Sequence, residues 1–448
     1  MLYLKKTAIR KYEYVVVGTG PGGATIAREL SLANKKVAIL EYGDSYSKKG
    51  QINAITNIYL NENLGLKFTS GGISIGRSRI LGGSSYFAQG NAVTPPDKIF
   101  KEWGINLKDE CASAREDLRV NLMPENLIGD GTKRIIEGAK SLGYEMKLTP
   151  KCVDYTKCKK CGKCAFGCPS NAKWTTLEFV DSAVSNGTDL YLNSNVIKVK
   201  HGSGDFNIVY YNQNGSTKEI IGDKVIISAG ALETPRILQN SGIEEAGKGI
   251  ALDIFQTTYG YTKDVGMKNE VILATYIESL IEEKELFPAP YMYPTLSLVR
   301  DIADYMPKKM DLVSMTKILL KARKVKAQHL LGMMTKIRDE ITGEVKNDGT
   351  VIKEITDKDQ KRLDEAYEIN RDIILASGAE PKSIVRGYYE SGHPCCTAPI
   401  GKILDKNQQT EIEGVHVSDA SVFPSPLGLP PILTIVALSK RLANYLLK

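Results

Sequence analysis

The chain has 448 residues, of which 42% are apolar and 25% charged, and its formal net charge is +7. This composition is that of a globular protein, and the length predicts two connected domains rather than one simple core. No lysine–arginine tract or recognised motif indicates nucleic-acid binding, and no apolar run is long enough to span a membrane. Because no secretory leader is recognisable before the first strand, we expect a cytoplasmic location.

The first predicted element is a buried strand at Tyr14–Val17, which leads directly into the segment GTGPGG. Gly18, Gly20 and Gly23 have the G-x-G-x-x-G spacing of a dinucleotide-binding turn. In such a turn the first glycine makes the bend, the second lets the backbone approach a pyrophosphate, and the third lets the helix pack on the strand.

A helix and a second strand complete this predicted unit. Ile26, Leu30 and Ala33 recur on one helical face, and the amino end of the helix would point at the phosphates. The strand KVAILE ends at Glu41, whose carboxylate can accept hydrogen bonds from both ribose hydroxyls. The pattern predicts a Rossmann-type fold, and by itself it leaves NAD and FAD as alternatives.

Five of the eight cysteines lie close together in the middle of the chain. Four have the spacing C-x2-C-x2-C-x3-C-P of bacterial ferredoxins: Cys158, Cys161, Cys164 and Cys168. This spacing predicts one [4Fe–4S] cluster, since zinc knuckles use two separated pairs. In two-cluster ferredoxins the last cysteine of the run binds the other cluster, so the fourth ligand stays open between Cys168 and Cys152.

Four further segments resemble the signatures of the glucose–methanol–choline (GMC) oxidoreductase family and occur in the family's order. They are RILGGSSYFAQGNAV (79–93), ISAGALETPRILQNSGI (227–243), HPCCTAPIG (393–401) and GVHVSDASVFPSPLGLPPILTIVAL (414–438). The family binds FAD, so the resemblance assigns the glycine turn to FAD. Some members, including fatty-alcohol oxidases, are similar to this chain in carrying cysteines in a comparable insert.

The resemblance implies further contacts with FAD. In the first signature, small residues would let backbone amides approach the flavin and the pyrophosphate: Gly82, Gly83, Ser84 and Ser85. In the second, Ala229 would lie against the adenosine half. In the last, Asp419 with Ala420 would lie near the pyrophosphate and the ribityl chain.

The resemblance also implies a catalytic base. His393 would take the hydroxyl proton of an alcohol as hydride leaves for the flavin. The second catalytic position, Asn or His in most members, aligns with Pro430, which offers neither a donor nor a base. Asn91 is a candidate for that missing role and for a cofactor contact.

The region before His393 is predicted to form the substrate domain. It contains two strands around an Asp-Gly turn within residues 329–356, followed by an amphipathic helix that Gly378 and Pro381 end. A basic helix predicted at residues 306–328 could lie on a membrane surface, receive an acidic electron carrier, or present a solvated face.

Together these features predict an α/β fold: a Rossmann-type FAD-binding domain with a smaller α+β substrate domain and an iron–sulfur cluster insert. The predicted pieces are residues 1–145, 181–250 and 391–448 for FAD, 146–180 for the cluster and 251–390 for the substrate domain.

The predicted reaction oxidises an alcohol, and electrons leave through the cluster to a ferredoxin-like or quinone acceptor. Two alternatives stay open: a ferredoxin-driven reductase of a carbonyl or C=C bond, and a non-catalytic electron-transfer subunit. The sequence gives no indication of the oligomeric state.

Overall fold

The computed structural model describes residues 10–45, 66–292 and 329–448. Its strands, in chain order, are β1 (Lys11–Val17), β2 (Val37–Leu40), β3 (Leu66–Phe68), β4 (Ser74–Gly76), β5 (Lys147–Leu148), β6 (Asp189–Tyr191), β7 (Asn195–His201), β8 (Asn207–Gln213), β9 (Ser216–Ile227), β10 (Lys248–Ile250), β11 (Phe255–Tyr261), β12 (Thr275–Tyr276), β13 (Leu286–Pro290), β14 (Leu330–Ile337), β15 (Thr342–Val345), β16 (Val351–Ile352), β17 (Val385–Ser391) and β18 (Val415–Val417).

The α-helices of the same ranges are α1 (Pro21–Leu32), α2 (Lys98–Lys101), α3 (Lys108–Asp117), α4 (Asp130–Ser141), α5 (Leu177–Ser185), α6 (Thr234–Asn240), α7 (Ser279–Lys284), α8 (Asp357–Ala376) and α9 (Ile432–Leu446). None of these described helices combines the length and the apolar character needed to cross a membrane.

The first sheet is seven-stranded, in the order β6-β2-β1-β9-β8-β7, with β18 pairing with β9. Strands β6, β2, β1, β9 and β18 run parallel, and β7 and β8 extend the sheet antiparallel. The β1–α1–β2 crossover is the predicted Rossmann-type unit. The carboxyl ends of parallel strands meet at one edge of the sheet, which brings the glycine turn, Glu41, Ala229 and Asp419 to the same edge. The predicted α/β fold is confirmed.

The C-terminal helix α9 packs against α1 on one face of this sheet. The Tyr14 hydroxyl donates to the Leu446 carbonyl at 2.9 Å. Lys440 forms ion pairs with Glu29 at 2.9 Å and with Asp117 at 2.7 Å. The last predicted signature is therefore part of the same layered unit as the first strand.

The second sheet is six-stranded, in the order β13-β14-β11-β17-β4-β3. Helix α8 covers one face and buries Leu363, Ile369 and Ile373 in the same core as Leu331 and Met333. The helix begins after Thr356, whose side chain accepts from the Asp359 amide. It ends before a glycine with φ +91°, as the sequence predicts.

Residues 329–356 contain three strands instead of the predicted two: β14 joins the second sheet, and β15 and β16 pair antiparallel around the Asp-Gly turn. The basic helix predicted at 306–328 lies outside the described residues. The division of the chain into five pieces stays a prediction.

The cysteine segment packs directly on the loop that follows the glycine–serine turn. The Cys152 amide donates to the Gly90 carbonyl at 2.6 Å, and the Ala92 amide donates to the Pro150 carbonyl at 2.8 Å. Asn91 and Lys151 form an isolated antiparallel bridge. The segment with the cysteines is thus anchored to the predicted FAD-binding region by backbone pairing.

Candidate functional site

A cavity of about 610 Å³ lies between the carboxyl edge of the first sheet and the second sheet. The first sheet contributes the glycine turn and the loops after β2, β9 and β18. The second sheet contributes Phe255, Met334 and Lys336, and His393 lies on the loop that follows β17. One cavity is therefore lined by most of the predicted cofactor residues and by the predicted base.

The glycine turn is closely packed on one side and open on the other. A Cβ atom at Gly22 would lie 1.5 Å from the Ser418 carbonyl oxygen, and one at Gly23 would lie 2.0 Å from the Gly18 oxygen. A Cβ at Gly20 would meet nothing within 4 Å. Gly23 therefore serves helix–strand packing, whereas Gly20 borders the open space that a pyrophosphate needs.

Glu41 lies at the end of β2 and is buried. Its carboxylate accepts from the Thr19 amide at 2.8 Å and from the Gly43 amide at 2.7 Å. Burial raises the pKa of Glu41, and these hydrogen bonds oppose that rise. Thr19, which the motif does not single out, also accepts from the Gly82 amide at 2.8 Å and so links the two glycine turns.

The glycine–serine turn forms a short 3-10 helix at Gly83–Tyr86. A Cβ at Gly83 would lie 3.1 Å from the Gly20 Cα, so the two turns are in contact. Gly83, Ser84 and Ser85 line the cavity. Gly82 does not line it, and its amide donates to the Thr19 hydroxyl.

Asp419 fixes the backbone at the far edge of the cavity. One carboxylate oxygen accepts from the Gly230 amide and the other from the Ser421 amide, each at 2.8 Å. Burial raises the pKa of Asp419. The neighbouring Ala229 and Ala420 line the cavity. Asp419 thus shapes the loops that face the cavity, and its oxygens are committed to protein donors.

Five buried polar atoms of cavity residues have no hydrogen-bond partner among the described residues. They are Arg77 Nε, Ser78 Oγ, Gln89 Oε1, Ser228 Oγ and His393 Nδ1. Buried polar groups in folded proteins normally have partners, so such orphans indicate a polar ligand. The open space at Gly20, the carboxylate at Glu41 and these orphan atoms fit a dinucleotide such as FAD.

His393 lines the cavity next to the buried carboxylate of Asp253. Its Nδ1 atom has no hydrogen-bond partner among the described residues, and Asp253 Oδ2 lies 3.6 Å away. Burial, with the charge of Lys336, lowers the pKa of His393 well below its ordinary value. The imidazole is therefore neutral near pH 7, the form that can accept a proton.

Asp253, behind His393, and Lys336, in the cavity lining, are charged residues that the sequence reasoning missed. Burial raises the pKa of Asp253 to about 7 and lowers the pKa of Lys336 to about 8. Asp253 also accepts from the Gly428 amide at 2.9 Å. In the sequence, each is the single charged residue of a largely apolar segment: Asp253 in ALDIF (251–255) and Lys336 in LLGMMTKI (330–337).

Asn91 lines the cavity, but its side-chain oxygen accepts a hydrogen bond from the Lys151 ammonium. Lys151 is fully buried and also donates to the Gln89 carbonyl at 3.2 Å. Pro430 lines the cavity as well, and it adds no polar group. The catalytic role of Asn91 stays a prediction.

The cysteine side chains of the described residues are not arranged around a common point, as metal ligands would be. Among the described residues, no group of three or more His, Cys, Asp or Glu side chains is arranged to hold a metal ion. Cys152 lies in an apolar cluster with Trp174 and Leu433, and burial raises its pKa to about 12. The four cysteines of the ferredoxin-like run are free and partly buried.

Cys168 has a different environment from Cys152. Although burial raises its pKa, hydrogen bonds from the Ser170 hydroxyl and from the amides of Lys173, Ser170 and Ala172 give a net lowering. Amide donors around a thiolate are typical of iron–sulfur ligands. The donor chemistry of the loop fits a cluster, which stays a prediction.

Comparison with known proteins gives relatives along the whole chain. An uncharacterised protein of Methanocaldococcus jannaschii is 29% identical over 97% of this chain and 100% of its own length. A long-chain-alcohol oxidase of Arabidopsis thaliana is 23% identical over 97% of this chain and 67% of its own length. The crystal structure of pyridoxine 4-oxidase from Mesorbium loti superposes with a TM-score of 0.70 at 15% identity, covering 97% of this chain and 99% of that one.

Family profiles described as GMC oxidoreductase match residues 12–254 and 297–439, which together are most of the chain. The family predicted from the four signatures is therefore confirmed. The chain belongs to the GMC oxidoreductase family of FAD-dependent enzymes that act on CH–OH groups.

Proposed function

We propose that this chain oxidises an alcohol by hydride transfer to FAD, with His393 as the base, and that a [4Fe–4S] cluster carries the electrons away. The observation that supports the reaction most directly is that His393, which lines the cavity that contains the glycine turn, lies 3.6 Å from the buried carboxylate of Asp253. The Arabidopsis relative is named as a long-chain-alcohol oxidase, which supports an alcohol as the substrate class.

His393 has the properties that this role requires. Its lowered pKa keeps the ring neutral, and the alcohol proton can move to it as the C–H bond breaks. The carboxylate of Asp253, 3.6 Å from Nδ1, can stabilise the positive charge that the ring then gains. Asp253 is itself fixed by the Gly428 amide, so the ring and its carboxylate are held in one orientation.

FAD would be held by the residues that surround the open part of the cavity. The backbone amides of the two turns, at Gly20 and at Gly83–Ser85, would contact the pyrophosphate and the flavin. The carboxylate of Glu41 would contact the ribose. Ala229, Asp419 and Ala420 would close the far side. FAD, when bound, supplies the hydride acceptor.

The cluster would be held by Cys158, Cys161, Cys164 and Cys168. The amide donors at Cys168 and the apolar surroundings of Cys152 support Cys168 as the fourth ligand. A [4Fe–4S] cluster here would supply one-electron transfer to an external acceptor.

The cysteine loop touches the region proposed to contact the flavin. A Cβ at Gly167 would lie 2.4 Å from the Tyr86 ring, so the loop and the ring are in close contact. The Lys173 ammonium donates to the Ser85 carbonyl at 2.8 Å and to the Tyr86 carbonyl at 3.0 Å. These contacts support a short route for electrons between the two cofactors.

The surface of the cysteine loop favours an acidic acceptor. Lys157, Lys159 and Lys163 are exposed there, and Asp154 pairs with Lys157. A net positive patch attracts a negatively charged carrier and speeds its association. A ferredoxin-like protein is therefore the acceptor we propose, in preference to a membrane quinone.

The reverse reaction, from the cluster through FAD to a carbonyl or C=C bond, is a second candidate. Pro430 favours it, because the usual second polar side chain of an alcohol-oxidising site is absent there. The third alternative, a non-catalytic electron-transfer subunit, predicts a cavity end without converging polar groups. His393, Asp253 and Lys336 converge at this end and argue against it.

Anaerobic mixing of the purified protein with a panel of primary and secondary alcohols tests the reaction directly. We expect at least one alcohol to bleach the flavin absorbance, and His393→Asn to slow bleaching on the order of a hundredfold or more, the scale of a positioned base. His201→Asn, at an exposed histidine, is the matched control and should bleach at the parent rate. If no alcohol bleaches the flavin and reduced protein passes electrons to an enone or aldehyde, the second candidate replaces the first.

A further inference from the structure

Lys336 is a buried cation at the alcohol end of the cavity. It lies on β14, in register with Phe255 on one side and Phe287 on the other. Only 4% of its surface is exposed, and its ammonium lies 5.7 Å from the centre of the Phe287 ring. The aromatic face offsets part of the cost of burying an ammonium, and its N–H donors stay available to an oxygen acceptor.

The other buried lysines in the described ranges are all bound to oxygen atoms. Lys151 and Lys173 donate to carbonyl and amide oxygens, Lys353 pairs with Asp339 at 2.9 Å, and Lys440 pairs with two carboxylates. Among the described residues, the Lys336 ammonium has no hydrogen-bond partner and no carboxylate within 4 Å. Lys336 lines the cavity beside Phe255, its partner on β11.

Most of the cavity residues around Lys336 are apolar or aromatic. Leu273, Tyr291 and Met334 line this end together with Phe255. The charged or titratable groups whose fields reach Lys336 are Asp253, His393 and Lys151. Burial is the largest effect on Lys336 and lowers its pKa to about 8, which leaves the amine mainly charged at pH 7.

We propose that Lys336 is a catalytic residue whose ammonium donates a hydrogen bond to the hydroxyl oxygen of the substrate alcohol. It would thereby supply the polar contact that Pro430 cannot make. This inference rests on the proposed alcohol oxidation. As the C–H bond breaks and its electron pair leaves as hydride to FAD, the O–H proton passes to His393 and a C=O bond forms. The alcohol carbon is oxidised, FAD is reduced, and Lys336 stabilises the negative charge that builds on oxygen during this step.

The test is the rate of anaerobic flavin reduction by an alcohol that reduces the parent. Lys336→Met keeps the length of the side chain and removes the charge. We expect it to lower the limiting rate by about 100- to 1,000-fold with little change in half-saturating alcohol concentration, since the contact strengthens in the transition state. Lys268→Met, at an exposed lysine, should match the parent.

Two further measurements separate catalysis from a structural role. Methylammonium should restore part of the rate of Lys336→Ala in a concentration-dependent way, and tetramethylammonium, which cannot donate, should not. The parent rate should fall as pH rises through about 8, because the amine loses its proton there, and Lys336→Met should lack this decline. Pro430→Asn should recover activity in Lys336→Met if both positions serve the same oxygen.

Several outcomes overturn the inference. An unchanged rate in Lys336→Met, while the parent is reduced by alcohols, removes Lys336 from catalysis and leaves the proposed function intact. A rise in half-saturating concentration confined to carboxylate-bearing alcohols, with an unchanged limiting rate, would make Lys336 an anchor for an anionic substituent instead. Failure of every alcohol to reduce the parent overturns the proposed function and this inference with it.

Discussion

Asp253 Oδ2 lies 3.6 Å from His393 Nδ1, although the two residues belong to different parts of the chain. Asp253 has a positive φ of 50°, and its own amide donates to the Asp339 carboxylate at 2.7 Å. Asp339 is in turn paired with the fully buried Lys353. A chain of buried charges therefore fixes the carboxylate that faces the proposed base.

We expect Asp253→Asn to slow flavin reduction by at least about tenfold, because the neutral amide no longer stabilises positive charge on His393. Asparagine tolerates a positive φ and keeps an oxygen for the Gly428 amide, so the loop should hold its shape. Single-turnover reduction in the absence of oxygen measures the rate, and the FAD content serves as the folding control. A parent-like rate would show that this carboxylate does not assist the base.

Gly20→Val should yield a folded protein that lacks FAD. Gly20 has φ −63°, which any residue can adopt, and a Cβ there meets nothing within 4 Å, so the added side chain would occupy only cavity space. Absorbance at the flavin band and the thermal unfolding midpoint in the absence of FAD measure the two properties. Ala33→Val, at an exposed position just after the same helix, should keep FAD. Normal flavin content in Gly20→Val would place the pyrophosphate elsewhere.

Cys168→Ser should lose the iron–sulfur absorbance, whereas Cys152→Ser should retain it. The reason is the contrast between the amide donors at Cys168 and the apolar cluster around Cys152. Iron and acid-labile sulfide per flavin, measured after anaerobic purification, should be about four of each in the parent. Stoichiometric zinc without iron in the parent would contradict the cluster assignment, and the reverse order of the two variants would make Cys152 the ligand.

Lys353→Met should lower the free energy of unfolding by about 3–5 kcal/mol, because it leaves the carboxylate of Asp339 buried without its cation. Urea unfolding followed by circular dichroism measures this loss. The matched control is Lys358→Met, whose pair with Glu340 at 3.3 Å is largely exposed and should change stability by less than about 1 kcal/mol. Equal effects from the two variants would mean that the buried pair contributes no more than the surface pair.

The features that were predicted well from the sequence are those that depend on residues within one short segment of the chain. The glycine turn, the acid at the end of β2 and the helix that ends before Gly378 each depend on neighbours along the chain. Asp253 and Lys336 were missed because their importance arises from contacts between strands and loops distant in sequence. A single charged residue in an apolar segment indicates such a position, but the sequence does not identify the residues that it contacts in the fold.

The cavity also draws its walls from widely separated parts of the chain. Asp419, Ala420 and Ile432 complete a site that begins at Gly18, and β18 joins the sheet beside β9. During synthesis on the ribosome, the glycine turn emerges long before these residues exist. The nascent chain therefore lacks part of the cavity wall until residues 415–446 have been translated and α9 can dock on α1.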